Sequence, residues 1–187
     1  RKVRELLIVD SEVQNRSVFF SQNKPGLEVV LLPKTEKGSA ELFYILSSYS
    51  DLEAVHIVSH ATAGSMQLGG QILDASSFEH NVSNFSAING AIKQGGDLLL
   101  YGCELGKGNK GEEFLEIVKG NTHVDVAASN NKTGNAAYAA DWDLEIQKGD
   151  INAAPLEGSI ALNDFTGVLQ TVTFDFEGTN SEFYGYT

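Results

Sequence analysis

Short apolar runs of strand length recur along this chain, and most of them end on a residue that can do chemistry. They cover residues 4–10, 27–32, 54–59, 98–101 and 124–128. Runs like these, bounded by glycine, proline or polar residues, read as strands buried on both faces. Between them lie stretches with helical spacing. Residues 39–50 carry Leu42, Ile45 and Leu46 on one face, with Ser39 as the N-cap. Residues 78–93 carry Phe85, Ile88 and Ile92, and residues 111–119 carry Phe114, Leu115 and Val118. A shorter helix is expected within 11–20, a small hairpin around Gly69-Gly70, and an exposed edge strand over 142–146. Strands alternating with helices impose right-handed crossovers. The expected fold is therefore α/β, a three-layer sandwich with a mainly parallel sheet flanked by helices, flavodoxin-like in layout. Sites in such sheets form at the carboxyl ends of the strands. Asp10, His60, Cys103 and Ser129 all fall there.

With 187 residues, one domain is expected. A formal charge of -12 argues against a nucleic-acid partner, which needs a basic surface. No apolar run is long enough for membrane insertion as a helix. The single cysteine leaves a free thiol, and no spacing matches a structural zinc site or a phosphate-binding loop. The chain opens on Arg1, so it reads as part of a larger multidomain protein. Residues 1–169 are expected to form the domain. Residues 170–187 change in pattern and read as a linker or the start of a following module, with an alternating stretch over 171–176. No cofactor is required by any motif. Asp141, Asp143 and Asp150 could supply calcium ligands, but their spacing is not that of an EF-hand loop.

The stretch Leu98-Leu99-Leu100-Tyr101-Gly102-Cys103 delivers a cysteine to a strand end, and His56-Ile57-Val58-Ser59-His60 delivers a histidine in the same way. Together they are the parts of a thiolate–imidazole dyad. Gly102, Glu104 and the following glycines suggest that the thiol is exposed, and a nearby helix N-terminus would acidify it. The other histidines lie inside a strand (His56), in a polar loop (His80) and before a strand (His123). The segment 129–134 reads as a turn that could line a pocket, and Trp142 as a packing residue.

These His and Cys blocks resemble the caspase-like clan of cysteine peptidases, which includes caspases, legumains, gingipains and the self-processing domains of large bacterial toxins. More closely, the chain is similar to a domain found near the N-terminus of giant bacterial surface adhesins with cadherin-like or calcium-binding repeats. The shared pattern runs from Ile8-Val9-Asp10 through Ser59-His60, Gly64, Leu68-Gly69, Tyr101-Gly102-Cys103, Ala128-Ser129 and Thr133-Gly134 to Trp142-Asp143-Leu144-Glu145.

The resemblance implies a secreted or cell-surface cysteine endopeptidase, self-processing or acting on a large exported protein. Cys103 would be its nucleophile and His60 its proton carrier. The backbone N–H groups of Ala61 and Cys103 would form the oxyanion hole. Ala61 stands where the clan usually has glycine, so its N–H serves only if its backbone avoids positive φ. Asp10 and Ser129 would bind substrate. A carboxylate at Asp10 would favour Arg over Lys before the scissile bond and make Lys107 and Lys110 candidate self-cleavage points. The competing reading of Asp10 is a turn cap facing the backbone. The competing reading of the whole chain is a catalytically inactive spacer or interaction module of an adhesin.

Overall fold

The computed structural model describes residues 2–21, 24–156 and 162–170. The stretch 171–187, including the alternating 171–176, lies outside the described residues. A six-stranded sheet runs in the order β2 (Leu27–Leu32), β1 (Glu5–Asp10), β3 (Leu52–Val58), β7 (Ile92–Tyr101), β8 (Asp125–Ala128) and β9 (Ile146–Lys148). All neighbours are parallel except β9, which pairs antiparallel with β8. The fold is the expected α/β sandwich.

Alternation within the apolar runs divides the core in two. Leu6 and Ile8, Val55 and Ile57, Leu98 and Leu100 face one side. There they meet α2 (Ala40–Leu46), α3 (Ala75–Glu79), α4 (Val82–Ala91) and α5 (Gly108–Asn121), through Leu42, Phe78, Phe85 and Phe114. Leu7, Val9, Ala54, Val58, Leu99 and Tyr101 face the other. That side is covered by the short helix α1 (Ser17–Phe20), by irregular chain around Ala140, Trp142 and Leu156, and by residues 162–169. Phe19, Trp142 and Phe165 form its aromatic centre, with ring centroids 5.4–5.9 Å apart in edge or tilted contacts. The second face thus carries one short helix and irregular chain, while the longer helices lie on the first.

Several expected boundaries move. The helix over 78–93 is two, α3 and α4, split around His80-Asn81. Asp74 starts α3 with a capping box, accepting from the Ser77 N–H at 2.9 Å. Ser39 occupies the N-cap position of α2 without capping it; its hydroxyl donates to Gln71 Oε1 instead. The hairpin is present as β5 (Ser65–Leu68) and β6 (Gln71–Asp74), and β4 (Ala61–Thr62) completes a three-stranded sheet with them. The edge strand starts at Ile146 rather than Trp142. Trp142 is buried in the core, while Asp141 accepts from Asn131 Nδ2 and Glu145 from the Asn130 N–H. Those bonds tie residues 141–145 to the loop after β8 and keep them out of the ladder. Among the described residues no helix is long and apolar enough to cross a membrane.

Candidate active site

The parallel register Val58↔Tyr101 places the ends of β3 and β7 side by side. Each strand then releases its chemistry-bearing residue at the same sheet edge, His60 from β3 and Cys103 from β7. The two exits approach closely because Gly102 has no side chain. A Cβ built there would lie 2.6 Å from the Ala61 Cβ and 3.0 Å from the Ser59 carbonyl. Directly after Cys103 the chain turns through Glu104, whose φ of 57° is left-handed. That conformation costs a non-glycine residue on the order of 1 kcal/mol. It is held by the Glu104 N–H donating to the Asn131 carbonyl at 2.7 Å.

The two expected oxyanion donors converge. The N–H groups of Ala61 and Cys103 both donate to one carbonyl oxygen, that of Leu169, each at 3.0 Å. Ala61 lies in β4 and is not among the residues of positive φ, so it presents its N–H without strain. The carbonyl arrives on the segment 167–170, which pairs on both sides. Leu169 N–H donates to the Thr133 carbonyl at 2.8 Å, Val168 bridges Gly134, and Gln170 bridges Ala61.

Cys103 is buried, only 2% exposed, contrary to the exposure its flanks suggested. The segment 167–170 and the loop 131–134 enclose it. Its sulfur accepts from the Thr133 N–H at 3.3 Å and donates to the Thr133 carbonyl at 3.5 Å. Burial pushes the thiol pKa up to about 11, against the weaker pull of backbone hydrogen bonds from Thr133 and Leu169. The helix whose N-terminus is expected to acidify it, α5, opens only at Gly108, beyond an intervening turn. His60 is also buried, and burial lowers its pKa. The Glu12 carbonyl, accepting from Nε2 at 3.2 Å, and the nearby Asp10 carboxylate draw it partly back up. A hydrogen bond to the Gln170 backbone acts in the same direction.

The other histidines are engaged elsewhere. His56 Nε2 meets Glu5 Oε2 at 3.0 Å, His80 bonds to the Ser76 carbonyl, and His123 to that of Ile92.

Asp10 and Ser129 sit at the expected sheet edge, but both make scaffolding contacts in place of the expected substrate contacts. Asp10 is 1% exposed. Its Oδ1 accepts from the Glu12 N–H and its Oδ2 from the Gly69 N–H, both at 2.9 Å. This is the turn-cap arrangement, extended to fasten the β5–β6 hairpin. The Ser129 hydroxyl is taken up by Asn131, and its carbonyl accepts from the Gly106 N–H. Lys110 lies within α5, and the Lys107 carbonyl accepts from the Gly111 N–H, so neither offers an extended peptide to Cys103. Among the described residues no group of three His, Cys, Asp or Glu side chains could hold a metal ion. Asp141 is used locally, by Asn131 and by the Asp143 N–H.

With the fold and this edge in place, the family is plain. The chain belongs to the DUF4347 family, a domain of unknown function, matched over residues 6–169. No curated protein matches the sequence. In this DUF4347 domain the Ala61 and Cys103 N–H groups meet on one peptide carbonyl, and His60 leaves the sheet at the same edge. Two participants were missed from sequence. Thr133 enters the sequence reading as part of a turn that could line a pocket, with no role of its own, yet its backbone grips both the sulfur and Leu169. Leu169 was read only as the last residue of the domain. Backbone donors and acceptors carry no residue-type signal, so neither role could be seen in the letters.

Proposed function

We propose that the domain is a cysteine endopeptidase, with Cys103 as nucleophile and His60 as proton carrier. The observation that carries this reading is the convergence of the Ala61 and Cys103 N–H groups on one carbonyl oxygen. Paired backbone donors of this kind stabilise the charge that develops on a carbonyl under nucleophilic attack. Burial holds the thiol protonated and the imidazole neutral at rest. His60 therefore takes the thiol proton as sulfur attacks, then returns it to the departing amine. Water afterwards hydrolyses the thioester and restores the thiol. The substrate class is polypeptide, either the chain itself or a large exported surface protein of which this domain is one part, as the resemblance to adhesin domains suggests. The expected preference for Arg or Lys has no support in this geometry, because both Asp10 oxygens are occupied by backbone donors.

A second reading, a catalytically inactive spacer or interaction module, is favoured by one observation. The thiol is enclosed and its pKa is raised, as in a structural cysteine. Acyloxymethylketone peptides that vary the residue before the warhead separate the two. A peptidase is labelled at Cys103 by at least one of them, and His60→Ala abolishes labelling. Failure of every probe to label the chain, with the chain itself also left uncut, would leave the spacer.

A further inference from the structure

The carbonyl held by the two N–H groups belongs to the chain itself. We infer that Leu169–Gln170 is the bond this site cleaves, in its own polypeptide, an inference that rests on the peptidase reading above. The segment is paired to the cleft through its backbone, as a bound peptide would be. Its Leu169 N–H and carbonyl are both paired to the cleft, the first with Thr133 and the second with Ala61 and Cys103. The Leu169 side chain is fully buried in the core cluster that also contains Cys103, Val9, Val13 and Phe19. That environment suits an apolar side chain and would strand an unpaired charge. On the other side of the bond Gln170 is exposed. The Gln170 backbone lies close enough to His60 to act on its pKa, so the imidazole stands near the residue whose nitrogen must leave. The family match also ends at Leu169, so cleavage would separate the domain from whatever follows it.

The step balances with water as the only co-reactant. Sulfur of Cys103 bonds to the Leu169 carbonyl carbon while its proton passes to His60. The Leu169–Gln170 C–N bond breaks and His60 protonates the Gln170 nitrogen, giving a new amino terminus and a thioester. Water then releases the Leu169 carboxylate and regenerates the thiol.

The test uses the full 187-residue chain, followed by intact mass and by sequencing of new amino termini. The expected product begins at Gln170 and appears with a first-order rate independent of protein concentration. Cys103→Ala should give none. Gln170→Pro changes an exposed position, and it removes the N–H at the scissile bond. It should slow cleavage at least 100-fold while the fold, read by Trp142 fluorescence, stays intact. Leu169→Met should be cleaved within about tenfold of wild type and Leu169→Lys at least 100-fold more slowly. Equal cleavage of the Met and Lys variants would overturn the apolar requirement. A panel of added peptides, including one spanning 165–174, separates this inference from the function beneath it. If Cys103 cleaves added peptides while Leu169–Gln170 stays whole in the chain, the inference falls and the peptidase reading stands. If neither is cut, both fall.

Discussion

Asp10 offers a direct test of whether the strand-end carboxylate selects substrate or holds the site together. In the structure its two oxygens each accept one backbone N–H at 2.9 Å, from Glu12 and from Gly69. The Gly69 bond is buried, so Asp10→Ala leaves that donor unsatisfied, a loss of about 1–3 kcal/mol. The Glu12 N–H is only partly buried and adds less. Removing a carboxylate whose own burial is unfavourable returns part of this, so we expect a net loss of about 2 kcal/mol. For a domain of this size that is roughly 4–8 °C in Tm. Asp10→Asn keeps one acceptor and should lose about half as much.

The pH dependence has a definite sign. Burial raises the folded pKa of Asp10 above its ordinary 3.8. The folded state therefore binds the proton more tightly than the unfolded chain. Stability from this group is fully present below the unfolded pKa and falls as pH rises through the folded one. The gap between wild type and Asp10→Asn should thus narrow from pH 3.5 to pH 7. Urea titrations followed by the fluorescence of Trp142, the chain's single tryptophan, read all of this. If Asp10→Asn unfolds at the same urea concentration as wild type but cleaves peptides with an altered preference, Asp10 is a specificity residue and the capping argument is wrong.

Four further outcomes follow from the same contacts. In the intact chain, Cys103 should be alkylated by iodoacetamide at neutral pH about 100-fold more slowly than an ordinary thiol, because its pKa stands at about 11 against 9.0; labelling at an ordinary rate would show that segment 167–170 does not cover it. Gly102→Ala pushes a methyl to 2.6 Å from the Ala61 Cβ and should abolish thiol-dependent cleavage even where the domain still folds; an active variant would mean that the two strand exits need not approach so closely. Glu5 is held at about 2, below its ordinary 4.5, chiefly by its hydrogen bond to His56, so its contribution is present above pH 4.5 and lost as pH falls towards 2. That shift bounds the effect at about 3 kcal/mol, roughly 1–2 after screening, and an unchanged acid limb in Glu5→Gln would contradict it. Phe114→Ala empties a fully buried site beneath α5 and should lose about 3–5 kcal/mol in urea denaturation; a loss below 1 kcal/mol would show that the helix can collapse into the gap.

The fold was legible because the strands are buried on both faces. A stretch such as Leu98-Leu99-Leu100-Tyr101 has no polar alternative, and its length rules out a helix of ordinary size. The positions of His60 and Cys103 were legible for the same reason, since each directly follows such a run. Residues 142–146 misled because Trp142-Asp143-Leu144-Glu145-Ile146 alternates as an edge strand does. The alternation has another origin: Trp142 packs inward while the Asp141 and Glu145 carboxylates engage Asn131 and the Asn130 N–H. Local pattern cannot distinguish a strand from chain fastened by distant side chains. Asp10 misled differently. A carboxylate at a strand end looks alike whether it faces a cleft or a backbone, and the donor that decides it, the Gly69 N–H, lies far along the chain on a glycine with positive φ.

The enclosure of Cys103 and the delivery of a carbonyl to it are one event. Residues 167–170 form part of the cover over the thiol, and the same residues place the Leu169 oxygen between the Ala61 and Cys103 donors. A raised thiol pKa usually argues against a nucleophile, because the free enzyme must offer a thiolate to an incoming substrate. On the proposed reading the peptide is already seated, so the comparison with a free enzyme does not apply. Within a seated complex the neutral thiol and neutral imidazole need only pass one proton between them as the bond forms. The burial that would silence an isolated cysteine also removes water, and backbone donors stabilise a developing oxyanion more strongly without it. The backbone, through Thr133, Ala61 and Cys103 itself, fixes the peptide, and the proposed chemistry is left to the side chains of Cys103 and His60. This division of labour explains why two short motifs pointed to this sheet edge and could not reveal the Leu169 peptide paired there.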